Sequence, residues 1–177
     1  MLTDTKVRGL NLGCRTRAIP EFLNMDIDAH DGVDLVGDVS DLSRFENGSV
    51  GAIYASHILE HFEYHRTLAV LKEWARVIEP GGMLYVAVPD FARCVELYGQ
   101  IGLSDWIVRF LCGDQEYKTA YHYALFDEER LAMLLKEAGF KESFRVEQFP
   151  IGDEGDCSTM VSTHDDEPVS LNMVAIR

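Results

Sequence analysis

Met83-Leu84-Tyr85-Val86-Ala87-Val88, directly after Pro80-Gly81-Gly82, is the stretch on which the fold turns. A run without charge or alternation suits a strand buried on both faces, as a central strand of a parallel sheet must be. Before it, Arg66 to Ile78 places Leu68, Leu71, Trp74, Ala75 and Ile78 at i, i+3, i+4 spacing, which predicts a helix with one apolar face. Pro80-Gly81-Gly82 is read as its stop. Working outward, Val50 to Ala55 reads as a strand ending at Ser56, a candidate helix N-cap. Val7 to Leu12 reads as a first strand entering a turn with Gly13, Phe22 to Ile27 as a second and Val33 to Val36 as a short third. Downstream, helical pattern covers Phe91 to Tyr98 and Ser104 to Leu111, followed by an aromatic-rich connection from Gly113 to Phe126. Asp127 caps a further helix with its face at Leu131, Leu134, Leu135 and Ala138, ended by Gly139. Phe144 to Phe149 and Leu171 to Ile176 are two last strands with no helix between them, so they should pair antiparallel.

Strands alternating with helices predict an α/β fold: a Rossmann-like, mainly parallel seven-stranded sheet with an antiparallel last strand and helices on both faces. The expected organisation is one domain over 1–177, with a cap or acceptor segment at about 91–126 and a flexible acidic loop at about 150–169. In such sheets ligands sit at the C-terminal strand ends.

Composition narrows the partners. A formal net charge of -14 opposes docking on nucleic acid, and the densest basic stretch holds only Lys6, Arg8, Arg15 and Arg17. No stretch approaches the roughly 20 apolar residues of a membrane span, and MLTDTKVRG carries no apolar core of a secretion signal. Cys14, Cys94, Cys112 and Cys157 form no C-x-x-C pair, which fits reduced thiols in a cytoplasmic protein. The expected partner is a small molecule, with no nucleic acid and no membrane; monomer and homodimer are both open.

Read together, the strand ends form a series. Asn11-Leu12-Gly13-Cys14 follows the first strand, Met25-Asp26-Ile27-Asp28 ends the second, and Gly37-Asp38-Val39 follows the third. Ala55-Ser56-His57-Ile58-Leu59-Glu60-His61 follows the fourth, Glu79-Pro80-Gly81-Gly82 precedes the fifth, and Ala138-Gly139-Phe140 precedes the sixth. This series resembles the class I S-adenosylmethionine (SAM)-dependent methyltransferases, closest to the type 11 group, from Val7 to Arg177. The resemblance implies SAM as cofactor. Gly13 would let backbone approach the methionine part, Asp26 would accept the ribose hydroxyls, and Ile27 would pack on the adenine. Asp38 and the Val39 amide would meet the base, and Ser56 and His57 would line the methyl-donor end. It also implies methyl transfer to an oxygen or nitrogen of a sugar, lipid precursor or metabolite. If a base is needed, His61, His57, His122 and Asp90 are the candidates, in that order.

The sequence departs from the family pattern at its first turn. The acidic-x-Gly-x-Gly-x-Gly positions are Asn11, Gly13, Arg15 and Arg17, so one glycine of three is kept. A positive φ at Arg15 would cost about 1–2 kcal/mol, yet an arginine could also pair with the SAM carboxylate. The short spacing to the second strand leaves the usual first helix missing or reduced. An alternative reading is therefore a non-catalytic relative acting as a binding or regulatory subunit. Other residues keep two readings. Asp26 and Asp38 could be plain turn residues, and Asp90 an N-cap. Tyr117, Tyr121, His122, Tyr123 and Phe126 could be packing or an acceptor pocket. His57, Glu60 and His61 spell H-x-x-E-H, a zinc-peptidase pattern. It lacks the long helix and downstream carboxylate that chemistry needs, so no metal is expected.

Overall fold

The structure, a computed structural model, describes residues 7–117, 119–151 and 157–177. Lys6 and the acidic run Asp153 to Asp156 lie outside them. The strands are β1 (Leu10–Leu12), β2 (Leu23–Asp26), β3 (Leu35–Val36), β4 (Val50–Ser56), β5 (Ile78–Pro89), β6 (Glu142–Arg145) and β7 (Ser170–Ile176). The helices are α1 (Thr67–Val77), α2 (Phe91–Ile101), α3 (Asp105–Cys112) and α4 (Glu128–Ala138). The seven strands form one sheet in the order β3-β2-β1-β4-β5-β7-β6. Pairing is parallel from β3 to β5, and antiparallel where β7 meets β5 and β6. The order reverses between β1 and β4, and the C-terminal strand ends beside that switch point are where sheets of this kind bind ligands.

Alternation along the strands sends Leu10, Leu12, Met25, Ile53, Leu84, Val86, Leu171 and Met173 to one face, where α1 and α4 cover them. Trp74 of α1 is fully buried there and donates from Nε1 to the Val39 carbonyl at 2.9 Å, tying the helix to the chain after β3. The opposite face is smaller and more polar. Asn11 donates to Asn24 Oδ1 at 2.9 Å, and Phe149 sits edge-on to Tyr54 and Tyr85 with centroids 5.6 and 5.7 Å away. Ile19 joins Phe149 over that face. No helix lies between β1 and β2; turns fill the interval, as the short spacing implies.

Several local readings shift. Ser56 does not cap a helix: it ends β4, and its buried Oγ has no hydrogen-bond partner among the described residues. The chain instead turns through His57 at φ 53° into a one-turn 3-10 helix, Leu59–His61. The fifth strand starts at Ile78, before Pro80, because α1 already ends at Val77. A Cβ on Gly82 would stand 2.5 Å from the Gly51 carbonyl oxygen, so the β4–β5 approach there requires glycine. The sixth strand runs Glu142–Arg145, and Phe149 leaves the sheet edge to pack on the tyrosines. Within the acidic loop, residues 157–169 fold back: Ser158 and Ser162 are buried, Val161 bridges Pro168, and Asp165 pairs with Arg93. Among the described residues no helix is long and apolar enough to cross a membrane.

Arg76 fastens α1 to the chain that precedes β4. Its guanidinium meets both Glu73 oxygens at 2.8 Å and also donates to the Leu42 and Phe45 carbonyls at 3.0 Å. The hydrogen bond from Arg76 outweighs partial burial and holds the Glu73 carboxyl below its ordinary value. A carboxyl depressed in the fold stabilises above its unfolded pKa, and that contribution is lost as pH falls through the folded value. Glu73→Gln is therefore expected to lower stability at neutral pH and to flatten the acid loss below about pH 4.5. Urea midpoints measured across that range check both effects.

Candidate functional site at the strand ends

The turn after β1 is built around Gly13. Its amide and that of Cys14 donate to the Met25 carbonyl at 2.8 and 3.3 Å, and Gly13 sits at φ 69°. A Cβ there would fall 1.8 Å from Ile58 Cδ1, so the first turn lies against the chain after β4. Arg15 has φ 46°, the left-handed conformation that a family glycine would take without strain. Two contacts hold it. Its amide donates to Asp26 Oδ2 at 2.8 Å, and its guanidinium lies 5.5 Å from the Tyr117 ring centroid. Asp26 is 5% exposed, and its other oxygen accepts the Asp28 amide at 3.1 Å. Each oxygen still has lone-pair capacity beyond one amide. Ile27, beside it, is 49% exposed, an apolar surface at a strand end. Asp38 is exposed at the end of β3 and accepts from the Ser40 amide and hydroxyl at 2.8 and 2.7 Å, an Asx turn; Val39 is buried.

A second group gathers after β4. His57 Nε2 lies 2.8 Å from Ser170 Oγ, and its Nδ1 lies 3.1 Å from Glu60 Oε1. Glu60 is fully buried on the 3-10 turn, and its carbonyl accepts the Tyr123 and Ala124 amides at 2.8 and 3.2 Å. That pairing carries the connection after α3 onto the turn and brings His122 beside His61, ring centroids 4.8 Å apart. Burial alone would raise the Glu60 carboxyl; His57, then His61 and His122, outweigh it and hold it below the usual range. Burial holds the His122 ring below the ordinary histidine value.

Asp90 is buried after β5 and used twice: Oδ1 accepts the Arg93 amide at 3.3 Å as the N-cap of α2, and Oδ2 pairs with Arg145 at 2.9 Å. The aromatic cluster divides. Phe126 belongs to the core, whereas Tyr117, Tyr121 and Tyr123 are exposed and Tyr121 stacks near Tyr123 at 6.2 Å. The structure therefore brings Gly13, Asp26 and Ile27 together on β1 and β2, and His57, His61 and His122 around Glu60. Sequence reasoning missed the buried role of Glu60 and the Ser170 contact. The H-x-x-E-H spacing drew attention to Glu60, but a peptidase geometry was sought in it. Burial pushes the Cys14 and Cys94 thiols up to about 11 and about 12, so neither is a thiolate at neutral pH.

Comparison with known proteins agrees with this geometry. A methyltransferase domain family model matches residues 13–86, from the first turn into β5. No curated protein matches the chain. Among solved structures, a SAM-dependent methyltransferase from Archaeoglobus fulgidus is 15% identical at a TM-score of 0.61, covering 96% of this chain and 86% of its own. A possible histamine N-methyltransferase from Thermotoga maritima gives 16% and 0.56, covering 98% and 84%. The Burkholderia thailandensis 1,6-didemethyltoxoflavin-N1-methyltransferase, solved with its substrate and S-adenosylhomocysteine, gives 16% and 0.59, covering 96% and 70%. The chain has the class I SAM-dependent methyltransferase fold, and the family model spans its strand ends from Gly13 into β5.

Gly13→Ala meets both a positive φ and the Ile58 side chain, and is expected to cost roughly 1–3 kcal/mol. Adding Ile58→Ala should remove the collision, so the double variant costs less than the sum of the single ones. Chemical denaturation of the four proteins measures the coupling.

Proposed function

We propose that this protein transfers a methyl group from SAM to an oxygen or nitrogen of a small molecule. The observation that carries the reading is the contact of Gly13 with Ile58. It sets the cofactor-type turn of β1 and the carboxylate of β2 beside the histidine cluster of β4. The residue chemistry fits SAM. Asp26 is an acceptor for ribose hydroxyls, Ile27 an exposed apolar surface for adenine, and Asp38 and the Val39 amide stand at the next strand end. Arg15 and Arg17 are exposed cations beside Gly13, suited to an amino-acid carboxylate. When bound, SAM supplies a methyl group already activated by the sulfonium charge.

The protein's part is then alignment and exclusion of water. The Asp26 carboxylate fixes the first turn through the Arg15 amide, so the surface that would meet the cofactor is formed before it arrives. Tyr117, Tyr121 and Tyr123 stand above this end and offer polar-tipped rings to an acceptor. Asp90 and His57 are spent on internal contacts, which leaves His61 and His122 as the ring nitrogens facing an acceptor.

Calorimetry with S-adenosylhomocysteine tests the reading. Binding with a Kd on the order of micromolar is expected, weakened at least tenfold, about 1.4 kcal/mol, by Ile27→Asp, which leaves the Asp26 turn intact. Absence of binding at about 1 mM in folded wild-type protein would instead favour a methyltransferase-fold binding or regulatory subunit.

A further inference from the structure

Glu60 asks for something the proposed methyl transfer does not supply. Its carboxylate is fully buried; Oε1 meets His57 Nδ1 at 3.1 Å, and Oε2 accepts no hydrogen bond among the described residues. An ionised carboxylate so placed is costly unless a cation lies against it. The nearest group is His57 Nδ1, and its proton is traceable. Ser170 Oγ donates to the Cys157 carbonyl at 2.5 Å, so it accepts from His57 Nε2. With its Nε2 proton given to Ser170, only the doubly protonated ring can also donate from Nδ1 to Glu60, and it reaches one of the two carboxylate oxygens.

The other two rings are also anchored through one nitrogen. His61 Nδ1 lies 3.0 Å from the Tyr121 carbonyl and His122 Nδ1 lies 3.1 Å from the Phe110 carbonyl. A carbonyl only accepts, so both rings carry their proton on Nδ1 and their lone pair on Nε2. This is how metal-binding imidazoles are held, with one nitrogen anchored to backbone and the other left to the ion. Glu60, His61 and His122 each offer a ligand atom within 4.8 Å of the others. A proton on His57 would answer the charge of Glu60, but would give no reason for two more anchored rings to converge on it.

We propose that Glu60, His61 and His122 bind a divalent transition-metal ion, of the zinc or manganese kind, with His57 Nδ1 beside them. Two imidazoles and one carboxylate suit such ions and leave coordination positions open. A hydroxyl or carboxylate oxygen of the methyl acceptor would fill an open position; that role rests on the methyltransferase reading, whereas binding of the ion does not. The site differs from the peptidase pattern in the sequence. His57 precedes the 3-10 turn rather than sharing a helix with His61, and the third ligand comes from the connection after α3. It also departs from the expectation of no metal. A second grouping, Asp26, Asp28 and His30, makes no such demand: Asp28 and His30 are exposed, and both Asp26 oxygens already accept amides.

The test uses the full chain, stripped with a chelator and titrated by calorimetry with Zn²⁺ and with Mn²⁺. Cobalt(II) is added in parallel, and its visible absorption reports the ligand field. About one equivalent is expected to bind. His61→Ala and His122→Ala should each weaken it at least tenfold, since losing a ligand costs no less than losing the group that orients one. The cobalt bands should change in both variants, while the exposed His65→Ala leaves affinity and spectrum unaltered. Melting of each variant in chelator establishes that it folds; His122→Gln stands in where alanine does not. Absence of binding to folded wild-type protein at about 1 mM ion, or binding that ignores His61 and His122, would overturn the proposal. S-adenosylhomocysteine binding without ion binding removes this site and leaves the methyltransferase reading; ion binding without S-adenosylhomocysteine does the reverse.

Discussion

The hydrogen bond from the Arg15 amide to Asp26 is the contact on which the turn after β1 depends. A buried carboxylate must find donors, and backbone amides are the donors nearest to the end of β2. By accepting them, Asp26 closes the first turn although two of the family's three glycines are absent. The left-handed backbone of Arg15 costs about 1 kcal/mol. The amide bond and the stacking of its guanidinium near Tyr117 offset that cost. The turn so held carries Gly13 against Ile58, which couples the end of β1 to the chain after β4.

The two buried carboxylates of this end behave differently, and the difference assigns their parts. Asp26 is satisfied by two backbone amides, one on each oxygen. Glu60 receives no backbone amide and is ringed by three imidazoles, with His57 Nδ1 3.1 Å from Oε1, so its environment favours positive charge. The 3-10 turn between Ser56 and Phe62 links the two, because its Ile58 faces the first turn and its Glu60 faces the histidines.

Much of the frame was legible because local chemistry and tertiary demand agree. Helix α1 was read as Arg66 to Ile78 and runs Thr67–Val77; Asp127 and Gly139 cap α4 from their expected places. The readings that moved are those decided across the sheet. Ser56 has the chemistry of an N-cap, but β4 is drawn one residue further by its pairing with Ala87. Phe149 has the pattern of a strand residue, yet the unoccupied polar face beside Tyr54 and Tyr85 draws it off the edge. At the candidate site, the positions of Asp26, Ile27 and Gly13 at strand ends follow from local pattern alone. The convergence of His122 on Glu60 does not. It is made by the Tyr123 and Ala124 amides reaching the Glu60 carbonyl, a contact between distant segments that no local spacing encodes.

The central claim is that the ends of β1, β2 and β4 form one binding crevice for an adenosyl group. Crystals soaked with S-adenosylhomocysteine address it most directly. The account predicts density with the ribose on Asp26, the adenine over Ile27 and the thioether pointing toward His61. Density elsewhere on the sheet, or none at saturating ligand with Arg15 filling the crevice, would contradict it.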